Sequence, residues 1–528
     1  VSEIATESNE SAIIGVDLQG LGSNAHNVAV LLNGTEIGRI AFNDVSRTEW
    51  TAPVALSSLR TGTNEIRLRA VGSTSDYSLL EAVRINYPRR NRAENGRLDF
   101  SLASRKSAKL RGFTSSRVRV FDITNKASVS EINPTSRLEP DGTYSVTIGS
   151  SNAARMFVAM SDNVSPSPVS SWSRNEPTDL KNNANQANFI IIAPAYLRPE
   201  TEILRNAREA SGLRTMIVDP VDIYDEFGNG IRSADAIRLF LRHAKMNWTV
   251  KPDFALFVGD ASVDPRNYSG AGGAAANVVP TMFTDTWNIE AVSDAMIGDF
   301  DGDSIEDITL GRLPVRTNAE AAVVVGKILA HDGFSNEQIL DRGALMVSDA
   351  YLGYNFENGS RVMAQAIDPN ARIVYVDLST NDPATVRQQV LSSMNSGPAV
   401  VNYFGHASVT FWTSHQIFRT ADAPVLANIS QPSLGIMLAC LNGTFAEAGD
   451  SLSEATIKSP SGGAFGIWAS SGWNGAYEEE LMGREFYQRV YAGIPIGEAA
   501  RQAKSVFQTV DLRRTFIYLG DPTQRLVR

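Results

Sequence analysis

Cysteine is almost missing from this chain: Cys440 is the only one in 528 residues. That excludes an internal disulfide and any metal site built on several thiolates. Long apolar runs are missing too, since no stretch approaches the roughly eighteen consecutive apolar residues that a membrane-spanning helix needs. There is no basic excess, because the formal net charge is −10, and this argues against nucleic acid as a partner. The first residues, Val-Ser-Glu-Ile, lack the basic start and apolar centre of a secretory leader. Any leader is therefore expected to lie outside this sequence.

What is present is ample apolar material. Hydrophobic residues make up 43% of the chain, with seven tryptophans, enough for well-filled cores in about three units of ordinary size. Residues 1–180 read as an all-β accessory domain, a β-sandwich. Alternation is visible in Asn27-Val-Ala-Val-Leu-Leu-Asn33, closed by the turn pair Asn33-Gly34, and again over 64–70, 116–122 and 142–148. His26 stands alone there and reads as an ordinary surface residue. The Ser-, Pro- and Asn-rich stretch 163–187 reads as a linker.

From Asn188 the texture changes to alternating strand and helix. Buried strands are expected at 189–194, 215–219 and 254–259, with helices at 199–211 and 234–244, a βαβ rhythm that predicts a doubly wound sheet. The rhythm resumes with Gly343-Ala-Leu-Met-Val-Ser-Asp349 and leads to two short apolar runs, Val400-Val-Asn-Tyr-Phe-Gly-His-Ala-Ser408 and Ser433-Leu-Gly-Ile-Met-Leu-Ala-Cys-Leu-Asn-Gly443. Each reads as a strand buried on both faces. His406 and Cys440 then fall at carboxyl ends of strands, where open α/β sheets house chemistry. An imidazole in reach of a thiol can take its proton and leave a potent nucleophile.

At these residues the chain resembles the gingipain-type cysteine peptidases, a family with a caspase-like catalytic domain. The resemblance is carried by N-Y-F-G-H-A-S at 402–408, L-A-C-L-N-G-T-F at 438–445, G-G-A-F-G-I-W-A-S-S-G-W at 462–473 and Y-L-G-D-P-T-Q-R-L at 518–526. Upstream it takes in D-I-Y-D-E-F-G-N-G at 222–230, F-V-G-D-A-S at 257–262 and L-G-R-L-P-V at 310–315. It implies a multidomain fold: the N-terminal β-sandwich, then a caspase-like α/β domain of two doubly wound subdomains, a non-catalytic one at 187–341 and a catalytic one at 342–528. It also implies an exported bacterial enzyme, extracellular or on the cell surface, that acts on proteins or peptides, with the N-terminal domain free to engage a secretion or surface partner.

The resemblance assigns roles residue by residue. Cys440 is the nucleophile and His406 the proton carrier, and Asp349 is expected to accept the far N–H of the imidazole. The backbone N–H groups of Cys440 and Ala407 are expected to hold the oxyanion, although relatives commonly carry glycine where Ala407 stands. Trp473 is expected to wall the first substrate pocket. Where arginine-cleaving relatives place a carboxylate, this chain has Ser360 and Arg361; Arg361 is expected either in that pocket or as a solvated helix residue, and Glu357 nearby keeps basic specificity open. His415 reads as a loop residue.

No cofactor is expected for catalysis. A structural calcium is, because Asp299, Asp301, Asp303 and Asp307 stand at the alternate positions of an oxygen-ligand loop with glycine at the turn. A solvated acidic turn is the rival there. For the chain as a whole, two rivals to an endopeptidase stand: a transpeptidase of a secretion system working through the same residues, and a catalytically silent surface or secretion protein.

Overall fold

The computed structural model describes residues 1–22, 24–72, 76–164, 176–270 and 273–528. It divides into two compact units, Val1–Arg174 and Asn175–Arg528.

The first unit is all-β, but it holds two cores where one sandwich is expected. Strands Ala12–Leu21, Arg47–Val54 and Tyr77–Asn86 form one sheet, and Ala25–Leu32, Thr35–Asn43 and Ile66–Ala70 another. Together they enclose Ile14, Val16, Val28 and Val30. A second group, between Arg97 and Ser161, packs around Leu110, Phe113, Val120 and Phe157. The run Pro88-Arg-Arg-Asn-Arg92 explains the division. Three guanidinium groups in five residues cannot enter an apolar layer, so alternation stops there and restarts in a new pair of sheets. The Asn33-Gly34 turn has φ of 50° and 88°, the left-handed pair that a tight hairpin demands.

His26 is not a surface residue. It is buried, with Nδ1 2.8 Å from Asp76 Oδ1 and Nε2 3.0 Å from the Asp44 carbonyl oxygen, and its ring stacks on Phe42. The carboxylate partner lies 50 residues further along the chain, so nothing local in the sequence marks the pair. Of the expected linker, 165–175 lie outside the described residues. Residues 178–181 belong to the second unit, where the Glu226 carboxylate accepts from Thr178 Oγ1 and the backbone N–H groups of Leu180 and Lys181.

The second unit is built on one sheet of ten strands. In chain order these are β1 Phe189–Ile192, β2 Thr215–Val218, β3 Phe254–Val258, β4 Thr309–Leu313, β5 Ala344–Ser348, β6 Ile373–Asp377, β7 Val400–Phe404, β8 Ser433–Leu438, β9 Ala464–Ser470 and β10 Phe516–Leu519. Their spatial order is β2-β1-β3-β4-β10-β9-β8-β7-β5-β6. Within each half the strands are parallel. Strand β10 runs parallel to β4 but antiparallel to β9, so the two halves point in opposite directions.

The sheet is therefore mixed and continuous across the boundary expected near residue 342. One apolar cluster extends through both halves, from Leu204 and Phe240 to Ile457 and Leu519. A second packs helices α1 Phe356–Ala364 and α2 Ala476–Tyr491 on the second half, through Met363, Phe404, Leu438, Trp468, Met482 and Phe486. Among the described residues no helix is long and apolar enough to cross a membrane.

Candidate active site

Strands β7 and β8 are neighbours in parallel register, with Phe404 opposite Leu438. One further bond, Gly405 N–H to the Leu438 carbonyl oxygen at 3.3 Å, carries the pairing to the edge. His406 and Cys440 each stand two residues beyond that matched pair, on strands about 4.8 Å apart. Both strands are wholly buried. The first side chains able to do chemistry therefore emerge where the strands end, His406 exposed and Cys440 half-buried.

The chain turns sharply after the thiol. Leu441 has φ of 67°, a left-handed conformation that branched side chains seldom adopt outside functional turns. Asn442 N–H donates to the Cys440 carbonyl oxygen at 2.9 Å, and Gly443 N–H to that of Ser470 at 2.7 Å. A Cβ on Gly443 would fall 2.8 Å from the Ala469 carbonyl oxygen, so only glycine fits there. The buried Asn442 side chain donates to the Ser408 carbonyl oxygen at 2.6 Å, tying the cysteine loop to the histidine loop.

Burial pushes the Cys440 thiol up to about 11, and the Glu479 carboxylate pushes in the same direction; the backbone N–H groups of Asn474 and Cys440 itself oppose them. In the unliganded site the sulfur is held as a thiol.

Asp349 follows β5 and is buried, but it does not meet the imidazole as expected. Its Oδ2 accepts the backbone N–H of His406 at 3.1 Å and its Oδ1 that of Ala350 at 2.8 Å. The imidazole Nε2 faces the Leu352 carbonyl oxygen at 3.4 Å, and the ring edge packs on Phe356 with centroids 5.2 Å apart. The physical reason lies at the sheet edge. The peptide groups just past β7 have left the ladder, and a buried carboxylate supplies the acceptor that they need. The His406 carbonyl oxygen is likewise held, by Tyr403 Oη at 2.6 Å and Thr413 N–H at 2.8 Å.

Ala407 opens the two-residue strand Ala407–Ser408, opposite Trp412. Trp473 lies just beyond β9 and is 43% exposed, and Tyr351, Leu352 and Tyr477 are more exposed still. All four follow the carboxyl ends of β5 and β9, so the Cys440 edge is flanked by exposed apolar side chains on both sides. His415 is exposed in the loop after Trp412.

Arg361 is not a pocket residue. Its guanidinium pairs with Asp377 at 2.8 Å and Glu357 at 3.2 Å and lies over the Tyr375 ring, which binds α1 to the outermost strand, β6. Helical geometry explains the correction, since the preceding position, one hundred degrees away, turns toward the sheet. It is Ser360 that turns inward, fully buried, with no hydrogen-bond partner for its Oγ.

The acidic loop lies at the amino end of β4, which the strand directions place at the same end of the sheet as Cys440. Asp299, Asp301 and Asp307 bring ligand oxygens within 4.8 Å of one another. Asp303 is outside that group, its Oδ1 accepting the Ile305 N–H at 2.8 Å. A set of carboxylate oxygens suits a hard divalent cation such as calcium.

Sequence reasoning missed Tyr403, Asn442 and Glu479. Tyr403 reads as an apolar strand residue and Asn442 as a turn former. Glu479 sits in the run Glu478-Glu-Glu480, which reads as a solvated helix start; its apolar neighbours at helical spacing, Met482 and Phe486, were the available signal.

Comparison with known proteins fits this geometry. The model of peptidase family C25 matches residues 182–527. Gingipain R2 of Porphyromonas gingivalis is 23% identical over 296 residues, covering 55% of this chain and 36% of that protein. Gingipain R1 of the same species is 23% identical over 292 residues, 54% of this chain and 27% of its own length. The chain thus spans well under half of these curated relatives. Among solved structures, the Arg-specific cysteine proteinase gingipain R matches with a TM-score of 0.54 at 18% identity, over 67% of this chain and 80% of that one. Dimeric latent PorU from Porphyromonas gingivalis matches with a TM-score of 0.53 at 16% identity, over 98% of this chain and 49% of its own. At such identities these structures show a shared fold.

Proposed function

The chain belongs to peptidase family C25, and from that premise we propose that it is an exported cysteine endopeptidase working through Cys440 and His406. The observation that carries the reading is the matched register of the two strands, which delivers a thiol and an imidazole to one sheet edge beside exposed apolar side chains.

In the proposed reaction the Cys440 sulfur attacks the peptide carbonyl carbon and its proton passes to His406. The oxyanion is held by the backbone N–H groups of Cys440 and Ala407. His406 then gives the proton to the leaving amine as the C–N bond breaks, leaving an acyl-enzyme on sulfur. Water attacks the thioester, His406 takes its proton, and the acid departs as the thiol is restored. Asp349 serves by fixing the backbone at His406. Trp473, exposed at the rim, is the wall against which the substrate side chain lies. An amine in place of water in the last step would make the same residues a transpeptidase.

Asp299, Asp301 and Asp307 are the residues that would hold calcium, which when bound would fix the loop before β4. The resemblance to gingipain-type enzymes supports a place outside the cell or at its surface, with the first unit available to a secretion or surface partner.

The test is a diverse peptide library incubated with the wild-type chain and with Cys440→Ala, alongside labelling by a peptidyl electrophile. Cleavage and labelling at Cys440, both lost in the variant, support the reading. An unlabelled wild type that cuts nothing overturns it in favour of a silent binding protein. Adding an amine nucleophile separates hydrolysis from transpeptidation by the mass of the products.

A further inference from the structure

One buried cation stands outside the reaction just described. Lys327, in the helix Asn318–Asp332 of the first half, is only 1% exposed. Its Nζ donates to the carbonyl oxygens of Ile457, of Ser459 at 3.0 Å and of Gly462 at 2.9 Å, with that of Thr456 at 3.5 Å. All four partners are backbone groups and none is a carboxylate. Taking an ammonium group out of water is costly, and an apolar side chain of the same length would fill the space without that cost. The three N–H bonds of an ammonium match the three nearest oxygens, so the cage suits the charged form.

The cage closes the end of a short helix, Leu452–Lys458, whose seven residues would be marginal as a helix by themselves. Its last carbonyl groups have no partner within the helix, and the helix dipole favours a cation beside them. The helix's own Lys458 does not serve, because it turns back to Asp450 at 2.7 Å and Glu454 at 3.1 Å. Lys327 does so from another element. The opposite end of the same helix holds the reactive loops. Leu452 N–H donates to the Val409 carbonyl oxygen at 2.8 Å, and Ser453 N–H to that of Asn442 at 3.4 Å. Val409 stands three residues past His406, and Asn442 two past Cys440. One short helix thus grips both loops at its start and is gripped by the first half at its end, and both helices lie against β9.

We propose that Lys327 is a positioning residue for the reaction: its ammonium group fixes the end of the helix Leu452–Lys458, and through the first-turn N–H groups of that helix it sets the spacing of the histidine and cysteine loops. The proposal rests on the endopeptidase reading and gives the first half, which supplies neither the thiol nor the imidazole, a part in it. Lys327 touches neither substrate nor the reacting atoms. Without its charge the cage oxygens lose their shared donor, the last turn of the helix is no longer held, and the first-turn N–H groups lose their fixed direction. The thiol and the imidazole remain, but their separation is no longer set, and proton transfer depends on that separation.

The experiment compares wild type with Lys327→Met, which keeps the length and removes the donors, and with Lys327→Arg, which keeps charge and donors. Leu241→Ala, a core truncation in the helix Ala234–Asn247, serves as a destabilised control. Melting temperature, kcat and KM on one cleaved peptide are measured, with the rate at which a small alkylating agent labels Cys440. The expected result for Lys327→Met is a kcat lower by on the order of tenfold or more, with KM within about twofold and alkylation at the wild-type rate. Lys327→Arg recovers much of the loss, and Leu241→Ala melts lower with kcat unchanged. A folded Lys327→Met with wild-type kcat overturns the proposal, as does an equal loss of kcat in Leu241→Ala. Should Lys327→Met not fold, Lys327→Gln is judged by the same criteria; if neither folds, the residue serves the fold as a whole and the proposal falls. A wild type that neither cleaves peptides nor reacts with a peptidyl electrophile removes the endopeptidase reading itself.

Discussion

Asp349 Oδ2 accepts the backbone N–H of His406 at 3.1 Å, while the imidazole of that histidine turns its Nε2 to the Leu352 carbonyl oxygen at 3.4 Å. The acid thus positions a loop and leaves the ring free to swing toward sulfur or leaving group. Two acceptors are needed there. Asp349→Asn keeps one of them and turns an amide NH2 toward the other backbone N–H, so kcat/KM is expected to fall on the order of tenfold with the pH profile unchanged. Asp349→Ala strands buried N–H groups, at a cost of about 1–3 kcal/mol, and activity falls with it. A displaced pH profile in Asp349→Asn would restore the carboxylate to the imidazole.

Removing the imidazole separates the two halves of the proposed chemistry. His406→Ala is expected to lose peptide cleavage by about 10²–10⁴-fold while Cys440 still reacts with a small alkylating agent at high pH. Cys440→Ala loses both. Full cleavage by His406→Ala would put the proton transfer elsewhere.

Glu479 and the thiol also set a pH signature. With Cys440 pushed up to about 11, its alkylation rate should climb about tenfold per pH unit between pH 7 and 10, and Glu479→Gln, by removing a negative neighbour, should speed it above pH 8, where that carboxyl is ionised. Burial raises Glu479 itself from 4.5 to about 8. Between those values the folded chain keeps a proton that the unfolded chain releases, so this group makes stability fall as pH rises from 4.5 to 8 and adds no further slope beyond. Melting temperatures across that window should decline less in Glu479→Gln; parallel curves would contradict the assignment.

Arg361 is expected to matter for stability alone. Arg361 is half-exposed but Asp377 is buried, so Arg361→Ala should cost about 1–3 kcal/mol of stability by leaving that carboxylate oxygen unpaired and should leave the ranking of peptide substrates unchanged. A shift toward or away from acidic substrates would return it to the pocket.

Calcium should raise the melting temperature and a chelator reverse the gain, with Asp299→Asn and Asp307→Asn losing the response. Asp303→Asn, whose carboxylate only holds a backbone N–H, should keep most of it. Equal melting curves with and without calcium would leave a plain acidic turn.

The course of the sheet was largely legible because parallel strands buried on both faces leave a short apolar run ending in glycine and polar residues. The Cys440 and His406 strands show that pattern in full. What could not be read depends on contacts remote in sequence. The reversal at β10 rests on pairing Leu519 with Arg312 and Ile467, and no local pattern encodes direction. His26 looked solvent-facing because Asp76, its partner, lies 50 residues further along the chain. Arg361 and Ser360 are adjacent letters, and only the orientation of α1 decides which of them turns inward. Glu479 and Glu480 pose the same problem on α2.

Strand β10 has a consequence for how the molecule comes into being. It is the seam between the two halves, lying beside β4 and β9, and it comes last among the ten strands. While a ribosome is still making residues 314–515, the flank of β4 has no lasting neighbour, and the loops that carry His406 and Cys440 can form only on an open-edged half-sheet. A chain halted short of Phe516 would carry every reactive group named above and still expose two raw sheet margins, an invitation to stick to its copies.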